Sequence, residues 1–335
     1  MDFNEIFKEL FSLTKDGSIP NTSPLAEKLR NLPAFALNTK LFGHELAEKY
    51  YGYKRLPEKH DAFTQGWKAS IYDDFLQEWF ISTCEELKIA PVLHRKVWEE
   101  TYVVNTLRSK LKPGMKGIVF GVGEERLPSL FASYGCKIVA TDLNPNNEAS
   151  QGWANTTQLG SLDKIYHSDL IDRKSFDKLV TFEYADMNDI GEHLYGQFDF
   201  CWTLCAFEHL GSIEKGLQFI ENTGKLLKSG GISAHTTEFN YSRTDTIDNW
   251  GTVLFTKKDF ESLYSRLSDY QLPPLDFNVG ENPVDSFVDM PPYAWHEGHN
   301  EKLNHCHLKL MVDGFPSTCF GVSFQKSKFI CRTIY

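Results

Sequence analysis

The segment Lys116–Pro145 constrains the fold of this chain more than any other stretch of its 335 residues; it reads KGIVFGVGEERLPSLFASYGCKIVATDLNP. Gly117–Phe120 and Lys137–Ala140 are short apolar runs, as expected of parallel strands that are buried on both faces. Gly121 and Gly123 follow the first run and permit a tight turn that a ligand can approach closely. The segment therefore predicts half of an α/β sheet, with a ligand-binding turn after its first strand.

Asp142 stands where the second strand ends, 19 residues after Gly123, and a carboxylate at that place accepts hydrogen bonds from ribose hydroxyls. The dinucleotide fingerprint needs a third glycine three residues after the second, and Arg126 stands there. Glu124 and Glu125 fill the turn, where two carboxylates disfavour a phosphate but suit a ligand with a sulfonium and an ammonium group. We therefore expect S-adenosylmethionine, with a dinucleotide or a purely structural turn as the alternatives.

Three more apolar runs continue the pattern and have informative residues at their ends. Asp186 and Met187 follow the first run, Phe182–Ala185. At this place a polar side chain can bond an adenine amino group and an apolar neighbour can stack on the ring. The run LCAFEHL follows the second, and the glycine pair of Lys228–Gly231 precedes the third. The predicted strands are Phe182–Ala185, Phe198–Thr203 and Ile232–Thr236, with a helix over Ile213–Leu227.

The order of the glycine turn, Asp142, Asp186-Met187 and the run FDFCWTLCAFEHLGS resembles that of the class I S-adenosylmethionine-dependent methyltransferases, over roughly Trp98–Gln325. The resemblance implies an α/β fold with a Rossmann-like seven-stranded sheet whose seventh strand is antiparallel. It also implies that S-adenosylmethionine is the cofactor and that the protein is a methyltransferase. A nicotinamide-dependent oxidoreductase and a non-catalytic S-adenosylmethionine-binding protein are the alternatives.

The C-terminal part of the chain fits the antiparallel seventh strand of that family. His307–Val312 and Thr318–Gln325 alternate like strands around the turn Asp313–Pro316. Two positions depart from the family pattern. Val119 stands where an acidic residue is usual, and Glu125 stands where the third glycine is usual.

We predict two parts of the chain: a helical N-terminal extension over residues 1–91 and a methyltransferase domain over residues 92–335. The extension is expected to cover the active-site face or to act as a packing or dimerisation element. A loop at about 268–304, rich in Pro, Gly and Asn, is expected to contact the substrate. The other predicted helices are Phe75–Leu87, Val97–Leu111 and Thr256–Leu267, the last with Thr256 as its N-cap.

The strand order and the resemblance together define a candidate site. The predicted cofactor-binding residues are Phe120, Gly121, Gly123, Asp142, Asp186, Met187 and Leu204. Residues just past the fourth and fifth strands point into the crevice at the carboxyl end of the sheet. The predicted catalytic residues there are Glu208, His209, His235 and Glu238. An imidazole can act as a base near neutral pH, although His209 could equally cap a helix and His235 could lie in the core.

The Glu208-His209 pair also resembles that of the ubiquinone O-methyltransferases, where it helps to hold a divalent metal. The upstream glutamate of that pattern is Cys205 here, so we predict no metal ligands. A second histidine group has a spacing that fits no zinc pattern, and we predict that it belongs to the substrate loop. It comprises His296, His299, His305 and His307.

The acceptor is expected to be a polar small molecule or a glycan, methylated on a hydroxyl. The runs 235–240 and 246–252 are dense in hydroxyl, amide and carboxyl groups, and they resemble those of bacterial methyltransferases of surface-glycan assembly. The net charge of −10 and the lack of Lys/Arg clusters argue against a nucleic-acid partner. Asp289–Tyr293, DMPPY, looks like the motif of adenine N6-methyltransferases, but it lies 80 residues after His209 rather than at the fourth strand's end.

The localisation expected from the sequence is cytoplasmic. The N-terminus lacks the basic and apolar regions of a signal peptide, and no apolar run reaches the roughly 18 residues that span a membrane. Seven cysteines without a CxxC pair suit reduced thiols. The sequence gives no oligomeric state.

Overall fold

The computed structural model describes residues 32–52, 56–145, 160–290 and 306–327. The α-helices in these ranges are α1 Leu32–Leu46, α2 Tyr72–Phe75, α3 Glu78–Leu87, α4 Arg95–Arg108, α5 Leu127–Ser133, α6 Arg173–Leu179, α7 Ile213–Leu226 and α8 Lys257–Arg266. The strands are β1 Lys68–Ala69, β2 Lys116–Val119, β3 Lys137–Asp142, β4 Val180–Tyr184, β5 Phe198–Leu204, β6 Leu227–Asn240, β7 Val288–Asp289, β8 Lys309–Val312 and β9 Phe315–Gln325. A π-helical turn spans Ala47–Tyr51, and 3-10 turns span Glu192–Leu194 and Phe207–His209.

The nine strands of the described ranges form one sheet in the order β4-β3-β2-β5-β6-β9-β8-β7, with β1 paired to β9 outside this path. Strands β4, β3, β2, β5 and β6 are parallel, and β9 is antiparallel to β6. An antiparallel strand at this place is the mark of the class I methyltransferase sheet that the sequence predicts, and it separates the fold from a dinucleotide-binding one. The predicted fold class is confirmed.

Helices cover both faces of the sheet, and each face has its own apolar core. One core contains Phe80, Trp98, Phe131 and Trp202, together with other side chains of α3, α4 and α5. The other contains Phe120 and further side chains from α7 and α8. Since both faces of β2 and β5 are covered, these strands are almost wholly apolar rather than alternating.

Side-chain caps begin three of the helices, and the first of these caps is predicted from the sequence. Thr256 caps α8 in a capping box with Asp259, whose side chain accepts from the Thr256 backbone N–H at 2.8 Å. The Asp172 side chain caps α6, and the Ser212 side chain caps α7. The glycine pair before β6 differs from the prediction, because β6 already begins at Leu227 and passes through the pair.

The N-terminal extension is less helical than predicted, because it contributes β1 to the sheet. Lys68 pairs with Gly321 of β9, and the indole Nε1 of Trp67 donates to the Ser323 carbonyl at 2.6 Å. The buried ammonium of Lys309, on β8, donates to the Ser70 carbonyl. These contacts tie residues 67–70 to β8 and β9 at the antiparallel side of the sheet. The domain boundary near residue 91 remains a prediction.

Several predicted features lie wholly or partly outside the described residues. They are the first 31 residues of the extension, Pro291–Tyr293 of the DMPPY run, and His296, His299 and His305. No helix within the described ranges is both long and apolar enough to cross a membrane. The six cysteines in those ranges are free and buried.

We expect Gly321→Ala to destabilise the protein, because a Cβ there would lie 2.3 Å from the buried ring of Tyr102. Overpacking of this kind costs about 1–3 kcal/mol. Urea denaturation measures the change. The matched control is Gly251→Ala, where a Cβ meets no atom within 4 Å, so that its effect should stay within about 0.5 kcal/mol. Equal stability of the two variants would show that the packing of α4 on β9 is looser than described.

Candidate functional site

A cavity of about 840 Å³ opens at the carboxyl ends of β2, β3, β5 and β6, where ligands bind in open α/β sheets. Its walls come from the glycine turn after β2, the ends of β3 and β4, the segment after β5, and the N-terminal half of α4. The cavity is mainly acidic. Its lining carboxyl groups are those of Glu99, Glu100, Glu124, Glu125, Asp142, Asp186, Glu208 and Glu238.

The glycine turn and Asp142 form one hydrogen-bonded unit. Gly121 and Gly123 both line the cavity with positive φ, 61° and 51°, which favours glycine. The Asp142 Oδ2 accepts from the backbone N–H groups of Gly123 at 3.1 Å and Gly160 at 2.8 Å, and Oδ1 accepts from Leu143 N–H at 2.8 Å. Because two carboxylate oxygens offer about four acceptor positions, one position on Oδ1 is available to a ligand.

The structure brings most of the predicted cofactor-binding residues together. Asp186, Met187 and Leu204 line the same cavity as the glycine turn and Asp142. Phe120 does not. Its side chain is fully buried in the second core and its ring lies 5.5 Å from that of Phe219. The prediction that Phe120 binds the cofactor is therefore wrong for its side chain.

The segment after β5 turns sharply into the cavity. Cys205 has a positive φ of 41°, which is strained for a residue with a side chain. Its backbone N–H donates to the Thr236 carbonyl at 3.0 Å, which holds the turn against β6. The turn presents Cys205, Glu208 and His209 to the cavity, while Phe207 packs into the core.

His209 is held by one side of its ring. Its Nδ1 lies 3.1 Å from the carbonyl oxygen of Gly251 and 3.1 Å from the hydroxyl of Thr252. A carbonyl oxygen can only accept, so Nδ1 carries the proton of the neutral ring and Nε2 is the basic nitrogen. Nε2 lies 3.9 Å from Oε1 of Glu208. This is the arrangement of a base with a carboxyl group beside it.

Glu208 is nearly inaccessible, and its Oε2 accepts from the Thr237 hydroxyl at 2.9 Å. Burial raises the pKa of Glu208, and the neighbouring His209 and Lys96 act in the opposite direction. A proton that arrives on His209 would therefore be stabilised by Glu208, which in turn would ionise more readily.

Glu238 forms an ion pair with Arg95 and accepts from the Ser317 hydroxyl at 2.9 Å. Arg95 Nη1 also lies 3.6 Å from Glu99 Oε1, and the Lys96 ammonium lies 3.1 Å from the same oxygen. Burial alone would raise the pKa of Glu99, but Lys96 and Arg95 hold that pKa below its ordinary value. Two carboxylates and two cations thus form a nearly neutral floor to the cavity.

His235 is not part of the cavity, and the prediction that it is a catalytic base is not supported. Its side chain is fully buried, with Nδ1 2.9 Å from the Thr203 hydroxyl and Nε2 2.5 Å from the Ser233 hydroxyl. Its ring packs against those of Phe207 and Phe219. Burial lowers the pKa of His235 to about 3, so it stays neutral near pH 7.

The predicted site residues include none from α4, although Glu99 lies in the segment before the first core strand, which often contacts the cofactor in this fold. Five residues of α4 line the cavity: Arg95, Lys96, Val97, Glu99 and Glu100. Four of these five are charged and lie in the first two turns of the helix. The cavity also has His307 on its wall, the one member of the predicted histidine group in the described ranges.

Two overlapping groups in the described residues could share a metal ion: Glu99, Cys205 and Cys319, and Cys205, Glu208 and Glu238. The ligand atoms in each group lie within 4.8 Å of one another. Arg95 already lies against Glu238 and donates to the Cys319 sulfur at 3.3 Å. A metal ion would have to displace this cation, so we assign no metal to the site.

None of the described residues that line the cavity is a Phe, Tyr or Trp. The exposed indole of Trp250 lies next in sequence to Gly251, which contacts His209. Trp250 precedes Thr252, which lines the cavity, by two residues, and is not itself part of the lining.

No protein-family model and no curated protein matches the sequence. Among solved structures, the chain is similar to the 4+2 cyclase SpnF, at 14% identity and TM-score 0.41, over 68% of this chain and 81% of that one. It is similar to phosphoethanolamine N-methyltransferase 2 of Haemonchus contortus, at 14% identity and TM-score 0.43, over 74% of this chain and 57% of that one. It is also similar to a methyltransferase of Mesorhizobium loti, at 14% identity and TM-score 0.36, over 66% of this chain and 96% of that one. At these values the likeness carries no inference about activity, and the fold assignment rests on the strand order.

We expect acid to destabilise the protein through His235. Its pKa is about 3 in the folded state and about 6.5 in an unfolded chain, so the unfolded state binds more protons between these values. Its contribution to the free energy of unfolding is fully present above pH 6.5. This contribution is lost as the pH falls towards 3, by about 1.4 kcal/mol per pH unit. In urea titrations from pH 6 to 4, His235→Gln should flatten the slope by this amount. His60→Gln, at an exposed histidine, is the matched control for loss of an imidazole. An unaltered slope in His235→Gln would contradict the assignment.

Proposed function

We propose that the protein is an S-adenosylmethionine-dependent methyltransferase that methylates a hydroxyl group of a polar small molecule or a glycan. One observation carries the proposal. The glycine turn, Asp142, Asp186-Met187 and the segment Leu204–His209 share a single cavity of about 840 Å³ at the carboxyl end of the sheet. The cavity is large enough for a cofactor of this size together with a small acceptor.

The cofactor half of the cavity is assigned from the turn and the strand ends. The position left on Asp142 Oδ1 suits a ribose hydroxyl, since the other acceptor positions are taken by backbone N–H groups. Asp186 and Met187 at the end of β4 suit an adenine ring, through the carboxylate and the thioether. Gly121 has no Cβ, so a ligand can approach the backbone of the turn closely. A Cβ at this position would lie 2.9 Å from that of Ala206.

Methyl transfer from a sulfonium requires in-line alignment of the nucleophile and, for a hydroxyl acceptor, removal of its proton. We assign the base to His209, whose Nε2 is the basic nitrogen when Nδ1 bonds the Gly251 carbonyl. Glu208, 3.9 Å from Nε2, would stabilise the imidazolium that forms. Glu238 is held by Arg95 and shapes the floor on which the acceptor rests.

The glycan acceptor is supported by the rim of the cavity rather than its interior. The indole of Trp250 is 68% exposed, and the segment that follows it holds His209. An exposed indole offers a flat apolar face on which a sugar ring can stack. Carboxyl and hydroxyl groups at Glu208, Glu238 and Thr252 can bond its hydroxyls.

Binding of S-adenosylhomocysteine, the product form of the cofactor, tests the cofactor assignment. We expect Asp142→Ala to weaken it by about 10- to 100-fold, because a hydrogen bond to a charged group contributes roughly 1.5–3 kcal/mol. Calorimetric titration gives the affinity, and a melting curve checks the fold. The control is Asp177→Ala, at an exposed carboxylate of α6 that pairs with Arg173. A preference for NADH over S-adenosylhomocysteine would favour the oxidoreductase alternative.

The base assignment predicts a split between binding and turnover. His209→Ala should keep the affinity for S-adenosylhomocysteine and reduce methyl transfer by roughly 10²–10⁴-fold, the usual contribution of a general base. The measurement is transfer of tritiated methyl to the acceptor that a screen of sugars and hydroxylated metabolites identifies. The exposed His60→Ala is the control. Full turnover in His209→Ala would remove His209 as the base, and no transfer to any acceptor would favour a non-catalytic binding protein.

A further inference from the structure

Two carboxyl side chains from different elements face the cofactor half of the cavity beside the glycine turn. Glu100 belongs to α4 and Glu125 to the turn itself, and both are partly buried. The indole Nε1 of Trp202 donates to Glu125 Oε1 at 2.8 Å, which fixes this side chain towards the sheet. Glu124, the residue before Glu125, is instead exposed and pairs with the Lys164 ammonium at 2.8 Å.

We propose that Glu100 and Glu125 form the receptor for the ammonium group at the amino-acid end of the cofactor, and that occupation of this receptor releases protons. The proposal rests on the proposed function. It extends the proposed function by naming the groups that bind the amino-acid end of the cofactor, and it makes cofactor binding dependent on pH.

The position of the pair follows from the orientation of the adenosine. With adenine at Asp186-Met187 and ribose at Asp142, the amino-acid end extends past the glycine turn towards β2, β5 and α4. The end of β2 offers no carboxylate, because Val119 is apolar and fully buried. Glu125 lies on the turn, and Glu100 lies on the helix that closes the cavity. Both are placed to supply the negative charge that Val119 does not.

The pair is electrostatically poised to accept a cation. Burial raises the pKa of Glu100 to about 7, against the effect of Arg126 and with a small further contribution from Glu99. Burial raises the pKa of Glu125 well above its usual range; the Trp202 hydrogen bond opposes this, and the charges of Glu100, Asp142 and Glu99 add to it. Burial therefore favours the protonated forms of both carboxyl groups in the ligand-free protein.

The neighbouring cations are engaged elsewhere. Arg126 donates from Nε to the Leu87 carbonyl at 2.7 Å, forms an ion pair with Asp169 and lies 3.1 Å from Nδ1 of His167. Lys96 lies against Glu99. An incoming ammonium group would lower the pKa of both Glu100 and Glu125, so protons leave as it binds.

The sign of the pH dependence follows from this linkage. The ligand-free protein holds more protons on the pair than the complex does, so affinity for a ligand with an ammonium group rises with pH through the region near 7. The effect requires the ammonium group. It should be absent for 5′-methylthioadenosine, which has the adenosine and the sulfur but no amino-acid end.

The experiment is calorimetric titration with three ligands at pH 6, 7 and 8, in phosphate and in imidazole buffer, which both buffer over this range and have different ionisation enthalpies. S-adenosylhomocysteine has the ammonium and the carboxylate, its decarboxylated analogue keeps only the ammonium, and 5′-methylthioadenosine has neither. The proteins are wild type, Glu100→Gln, Glu125→Gln and the control Glu261→Gln, at an exposed carboxylate of α8 that is not part of the cavity lining. Gln at position 125 keeps an oxygen that can accept from Trp202.

For the wild-type protein we expect proton release with the first two ligands and none with 5′-methylthioadenosine. Glu100→Gln and Glu125→Gln should each weaken the two ammonium ligands by about tenfold or more, as loss of a charged partner implies, and change 5′-methylthioadenosine by less than about twofold. Glu261→Gln should behave as wild type.

Three results would overturn the proposal. The proposal is overturned if the wild-type protein binds S-adenosylhomocysteine without releasing protons, and this result needs no variant. The proposal is also overturned if both Gln variants keep the wild-type affinity, or if they lose affinity equally for all three ligands. Either result leaves the cofactor assignment intact. Failure of the wild-type protein to bind any of the three ligands would reject the proposed function together with this inference.

Discussion

The site depends on the carboxylate of Asp142, which joins the end of β3 to the glycine turn after β2. Its Oδ2 accepts from Gly123 and Gly160 N–H groups, and its Oδ1 from that of Leu143. Three acceptor positions thereby fix three backbone segments around the crevice between two parallel strands. Gly121 and Gly123, on either side of Val122, adopt positive φ, which glycine does without the steric penalty of a Cβ. In the proposed function the remaining acceptor position on this carboxylate binds the ribose, which would join a structural and a binding role in one side chain.

A second constraint acts at the other end of the cavity, where charged groups are held out of water. Arg95 is buried between Glu238 and Glu99, and Lys96 completes the charge balance. Buried ions are tolerated when they are paired and hydrogen-bonded, and removal of one partner is costly. The network fixes α4 against β6 and β9. It therefore presents the N-terminal turns of α4 to the cavity in a defined position, including the carboxyl group of Glu100.

Much of the fold could be read from the sequence because the strands of its parallel half are short, apolar and followed by characteristic residues. The turn Gly121–Gly123, Asp142 and the segment after β5 all lie where their order predicts. The two-residue strand β1 could not be found, because Lys68-Ala69 has no strand pattern and pairs only in the folded chain.

The failures at the site have equally physical causes. Side chains alternate along a strand, so His235 and Glu238, three residues apart on β6, point to opposite faces. Both could not line one cavity, and the sequence alone did not say which face was the site. The contribution of α4 depends on its packing across the sheet, which no local pattern encodes.

A crystal structure with S-adenosylhomocysteine bound would test the central claim most directly. The account predicts a ribose hydroxyl within hydrogen-bond distance of Asp142 Oδ1, adenine beside Met187, and the sulfur facing Cys205–His209. A ligand bound elsewhere, or in this cavity with its adenine towards His209, would contradict it.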